Sequence, residues 1–297
     1  MVLVILFLAL GLAGCGTSTP LPAQPPDRNL ASGWKLARFA FDGGDYEQAV
    51  VLYDRTLARA YARDDIQAIA TIGYESALAL LRAGQAAEAA TRARRVREEL
   101  NRRGVTPFPE IALTEAIALY AAGDRLGAEA LATSLITDSR DAVDASAVVA
   151  RAAYLWGMIA ADRADRVGVS RALAEIGNPE AVSLRADRSE LTGRLRLLEA
   201  DPGAAMAAFE ETADLRRETH DYPGVARALA AAGDAAEAAG RAAEAADLYL
   251  RAGRGAATLN RRDQAERWLR KAETIAARTG QADVADAARH QIARLGD

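Results

Sequence analysis

Small residues recur along this chain at a fixed interval. Gly44, Gly84, Gly123, Ala164, Ala200, Gly240 and Gly280 follow one another at steps of 40, 39, 41, 36, 40 and 40. Five residues after each stand Ala49, Ala89, Ala128, Val169, Ala205, Ala245 and Ala285. Seven before each stand Ala37, Ala77, Ala116, Gly157, Gly193, Gly233 and, out of pattern, Glu273. A fixed period of this size marks a repeat architecture. A glycine or other small residue ends one helix and lets the chain reverse. The next helix starts just after it, as in GGDYEQAV and AGQAAEAA. Small residues one to two turns into each helix allow the two arms close approach. Each unit is therefore a helical hairpin. One hairpin cannot bury its apolar stripe alone, so about seven of them stack.

The rest of the chain agrees. Alanine, leucine, arginine and glutamate dominate, which is helical composition, and no strand alternation is found. The period places helices at 30–42, 46–62, 66–83, 85–102, 109–122, 125–138, 141–162, 166–176, 180–200, 202–219, 222–239, 242–259, 263–279 and 281–295. Pro107, Pro109, Pro179, Pro202 and Pro223 fall at or just before a helix start, where proline is tolerated. The expected fold is all-α, a right-handed α/α superhelical solenoid. Its last helix should carry a polar outer face as a cap.

The same columns resemble the tetratricopeptide repeat. That pattern puts a small residue in mid-helix A, glycine at the turn, an aromatic two residues on, and alanine then an aromatic in helix B. Ala37, Gly44, Tyr46, Ala49 and Tyr53 match it well. Gly233, Gly240, Ala245 and Tyr249 match in part, as do Gly193, Ala205 and Phe209. Repeats two and three are weaker, and four and seven are poor. The period of about 40 exceeds the family's usual 34, so longer helices are expected. The resemblance covers residues 30–297; a generic α/α solenoid is the other reading of the same period. It implies an extended concave face, lined by helix A of each repeat, that binds protein segments.

The N-terminus is a different material. Residues 2–14 read VLVILFLALGLAG, about 13 residues without a charge. As a helix they reach ~20 Å, short of a ~30 Å hydrocarbon core. The length suits the apolar region of a signal peptide. It ends in Leu12-Ala13-Gly14-Cys15, which resembles the bacterial lipobox at all four positions. The resemblance implies removal of residues 1–14 and lipidation at Cys15, with acyl chains such as palmitate. Several chains together give firm anchoring. The other reading is an ordinary secretory signal with an incidental cysteine. No Lys or Arg lies between Met1 and the apolar run, a departure that leaves an upstream start open. Gly16 is not the aspartate that holds many such lipoproteins in the inner membrane. By that resemblance the expected place is the inner leaflet of the outer membrane, facing the periplasm. Residues 15–29, with Pro20, Pro22, Pro25 and Pro26, form a tether of ~40 Å when extended.

Composition narrows the function. Cys15 is the only cysteine, so disulfides within the chain, thiolate metal sites and catalytic thiols are excluded. A net charge of −4 argues against general nucleic-acid binding. Of 37 basic residues only Lys35 and Lys271 are lysines, a bias that fits a GC-rich genome better than a phosphate-binding design. His220 and His290 lack a second histidine, a cysteine or a nucleophile at fixed spacing, and no phosphate loop or Gly-x-Ser-x-Gly occurs. No enzyme, cofactor or metal is expected. Helix A carries instead a row of large residues at one phase: Trp34, Tyr74, Leu113 and Tyr154. One turn on lie Arg38, Leu78, Ile117, Met158 and Arg194, with Phe41 and Tyr120 nearby. Such a stripe is either a partner groove built on aromatic anchors or plain core. The Lys/Asn clamp by which some family members hold a terminal carboxylate is absent; Arg188, Arg194 and Arg196 are either candidates for holding acidic groups or an ordinary solvated surface cluster. The reading is a lipid-anchored scaffold binding other envelope proteins in an assembly, secretion or cell-wall machine. The alternative is a spacer or solute-binding lipoprotein without a defined protein partner. Oligomeric state is not legible.

Overall fold

The computed structural model describes residues 27–138 and 146–296. The signal stretch, Cys15 and the tether through residue 26 lie outside the described residues, as does the start of the helix expected at 141–162. Among the described residues the chain forms fourteen helices and no strand. The first arms are α1 (Arg28–Asp42), α3 (Ile66–Arg82), α5 (Pro109–Ala121), α7 (Ser146–Asp162), α9 (Val182–Leu198), α11 (Tyr222–Ala238) and α13 (Arg262–Thr279). The second arms are α2 (Tyr46–Ala62), α4 (Ala86–Arg102), α6 (Arg125–Asp138), α8 (Arg166–Ile176), α10 (Pro202–Glu218), α12 (Ala242–Thr258) and α14 (Ala282–Arg294). Each helix packs mainly on its chain neighbours, which is solenoid topology.

The turns explain the column that sets the period. All seven of its residues have positive φ: Gly44 at 80°, Gly84 at 81°, Gly123 at 91°, Ala164 at 56°, Ala200 at 58°, Gly240 at 74° and Gly280 at 74°. The next amide returns to the carbonyl five residues back, as in Asp45 N to Ala40 O at 3.0 Å and Asp201 N to Arg196 O at 2.9 Å. That is the Schellman closure. At four of these seven turns an aspartate then caps the following helix. Asp45 accepts from the Gln48 amide at 3.1 Å and Asp201 from the Ala204 amide at 3.0 Å. A second column joins successive hairpins, with Asp64, Gly104, His220 and Asn260 all at positive φ. His220 is thus a turn residue in the repeat.

Ala200 pays for its place: a Cβ at left-handed φ costs about 1–2 kcal/mol. Glycine removes that strain and returns part of the gain as unfolded-state entropy. Ala200→Gly is expected to raise unfolding free energy in urea by about 0.5–1 kcal/mol. Ala205→Gly, inside α10, should lower it by a similar amount. Equal effects at both positions would contradict the turn argument.

The small columns are the seam between arms. Ala37, Ala49, Ala77, Ala89, Ala116 and Ala128 are all fully buried. At Gly193 an added Cβ would lie 2.7–2.9 Å from the Phe209 ring, and at Gly233 3.0–3.1 Å from Tyr249. Aromatics of the second arm therefore rest on glycines of the first. The two ends differ. On α1, Leu36 is 57% and Phe39 79% exposed. On α14, Val284, Ala287 and Ile292 pack inward while Asp286, Arg289 and His290 face outward. The C-terminal end has the polar face that a cap requires.

Candidate interaction groove

The first arms touch one another through side chains, so their shared face is where a partner segment could lie. At its start, Trp34 of α1 donates its indole N–H to Glu75 of α3 at 2.5 Å. Arg38 lies 5.9 Å from the Trp34 ring centroid and 3.9 Å from Glu75. Tyr53 of α2 forms the floor; burial and the neighbouring Glu75 carboxylate push its hydroxyl pKa upward. Phe41 and Tyr74 stand at the sides, edge-on to Tyr46 at 5.4 Å and to Phe108 at 5.3 Å. Between them is a pocket of about 180 Å³.

Further along, the Tyr120 hydroxyl of α5 donates to Asp162 of α7 at 3.0 Å, and Arg125 reaches the same carboxylate at 3.1 Å. Burial first, then Asp162, raises the Tyr120 pKa. Tyr154 is more enclosed. Desolvation and the carboxylates of Glu190 and Asp187 push its pKa far up. Arg216 of α10 sits among Asp187, Glu190 at 3.4 Å and Asp221 at 3.6 Å. Asp187 is raised above the ordinary carboxylate range by burial, against the pull of Arg216. At the far end, α11 and α13 line a cleft of about 680 Å³ that is charged rather than aromatic. Its Lys271 is tied to Asp234 at 2.6 Å and to the Tyr249 hydroxyl at 3.0 Å, with its ammonium 4.6 Å from the Tyr249 ring centroid.

The expected stripe therefore divides. Trp34, Phe41, Tyr74, Leu78, Ile117, Tyr120 and Tyr154 are partly exposed along this face, and Arg38 is exposed. Leu113 and Met158 are only 5% and 8% exposed and belong to the core. The three candidate arginines have different surroundings: Arg196 pairs with Glu199 at 2.8 Å, Arg188 faces solvent, and Arg194 has a buried Nε with no hydrogen-bond partner. The Arg216 network was not visible in the sequence, since its carboxylates lie at unrelated separations. His290 lies exposed on α14.

No protein-family model matches the sequence, and no curated protein matches it. Solved structures do share the fold. One is a tetratricopeptide repeat protein from Parabacteroides merdae, at 14% identity over 89% of this chain and 100% of that one, with a TM-score of 0.52. The apo form of RapI aligns at 9% identity over 90% of this chain and 76% of its own, TM-score 0.56. A Rap protein complexed with competence and sporulation factor aligns at 11% over 91% and 98%, TM-score 0.53. The chain has a tetratricopeptide-like α-solenoid fold.

Proposed function

We propose that this chain is a non-enzymatic, lipid-anchored scaffold, facing the periplasm from the outer membrane, that holds other envelope proteins along its first-arm face. The observation that carries the reading is the row of partly exposed aromatic and aliphatic side chains, Trp34 to Tyr154, on consecutive first arms. Rigid amphipathic rings on a preformed surface are what interface hot spots use. The lipobox at Cys15 supplies the anchoring half of the proposal. That a Rap protein of similar fold was solved bound to competence and sporulation factor is consistent with a binding role for the architecture.

The test is co-purification of the full-length protein from membranes in mild detergent. The comparison variant is Trp34→Ser/Leu78→Ser/Ile117→Ser, whose three sites are all partly exposed. Circular dichroism must first show it folded. Wild type should retain a defined set of envelope proteins, with recovery falling about tenfold or more in the variant, as expected when hot-spot side chains worth ~2 kcal/mol are removed. A folded variant that keeps the same partners would move binding to another face. Wild type that brings down nothing would favour the spacer reading. Cys15→Ala should leave the membrane fraction.

A further inference from the structure

The pocket at the start of the groove has a sign as well as a shape. Its walls are the rings of Phe41, Tyr53 and Tyr74. Two carboxylates face it, Asp42 and Glu75, against one guanidinium, Arg38. Among the described residues Asp42 makes no hydrogen bond or ion pair. Glu75 is met by the Trp34 indole at 2.5 Å, whereas Arg38 stays 3.9 Å away with its side chain 59% exposed. The pocket is therefore one negative charge in excess. Aromatic faces and one carboxylate without a counter-charge together favour a cation. Arg38 already shows that a guanidinium is tolerated at the rim, above Trp34. The volume of about 180 Å³ is the room of roughly six waters, enough for one long side chain but not for a length of backbone.

We propose that this pocket receives an arginine side chain from the segment bound along the groove, its plane against the aromatic walls and its charge facing Asp42 and Glu75. Arginine fits better than lysine because a planar, weakly hydrated guanidinium can stack and bridge two carboxylates at once. The partner is then a segment with apolar anchors for Leu78 and Ile117 and a basic residue towards α1. This inference rests on the groove reading above.

Selection of a random dodecapeptide display library on the full-length protein in mild detergent tests both layers. Selected peptides are expected to share an arginine beside apolar residues. Replacing that arginine by citrulline, which keeps the shape and loses the charge, should weaken binding about tenfold, within the range of a desolvated cation–π contact and an ion pair. Asp42→Asn, at an exposed site, should weaken it several-fold, as should Glu75→Gln, which still accepts the Trp34 hydrogen bond. Peptides that bind equally with citrulline, or that ignore Asp42→Asn, overturn the arginine pocket. If such peptides still lose binding to the Trp34→Ser/Leu78→Ser/Ile117→Ser variant, the groove itself survives. A selection that enriches nothing over that variant overturns both.

Discussion

Phe209→Ala is expected to cost about 3–5 kcal/mol of stability and to split one unfolding transition into two. Phe209 is 2% exposed on α10, and its ring occupies the space left by the missing side chain at Gly193 of α9. Truncation opens a cavity between helices already in backbone-limited contact, which cannot collapse to fill it. The place matters as much as the size. One core cluster runs through Leu191, with Leu198 packed against it, and the next begins at Ala205. A solenoid is held by nearest-neighbour interfaces, so weakening one uncouples the segments on either side. Trp156 reports the first cluster and Trp268 the second. In urea, tryptophan fluorescence from variants keeping only one of these should coincide in the native background. With Phe209→Ala the two curves should separate. A single transition shifted by less than about 1 kcal/mol would mean that the ring fills no essential space.

Most of the fold was legible because its period is written in backbone requirements. Glycine is the default residue at a left-handed turn, and five of the seven positions from Gly44 to Gly280 carry it, so that column stood out. The companion column did not, since Asp64, Gly104, His220 and Asn260 meet the same φ requirement with four residue types. Among the described residues, expected and observed helix bounds agree to within a few residues. At α9 the helix stops at Leu198 rather than 200, because Ala200 has already turned left-handed. The stripe of large residues was legible only in phase. Trp34, Tyr74 and Tyr154 lie on the shared face, but Leu113 and Met158 at matching positions are buried. The reason is that α3, α5, α7 and α9 also contact one another, so the middle of the array closes over side chains that its end leaves open. Such closure depends on superhelical packing and leaves no mark in a single repeat.

Arg216→Met is expected to be as damaging as any core truncation, and pH should reveal why. Arg216 is the shared cation of Asp187, Glu190 and Asp221, and Asp187 is itself 7% exposed. Methionine keeps much of the volume but leaves a buried carboxylate uncompensated, a loss of about 3–5 kcal/mol at neutral pH. Asp187 already holds its proton more tightly in the folded than in the unfolded chain, because burial outweighs Arg216. A carboxyl with a raised folded pKa takes up protons on folding. Its ionisation therefore lowers stability as pH rises from about 4 through the folded value. Without Arg216 that folded value moves higher still, so the penalty should be complete near pH 8 and shrink steadily towards pH ~4. Urea unfolding of wild type and variant across this range measures the difference directly. Asp187→Asn combined with Arg216→Met should recover a large part of the loss at pH 8 and little at pH ~4, since only the ionised carboxylate needs its partner. A deficit that stays constant with pH, or a double variant no better than the single one, would mean that Arg216 serves this interface by packing its stem rather than by its charge.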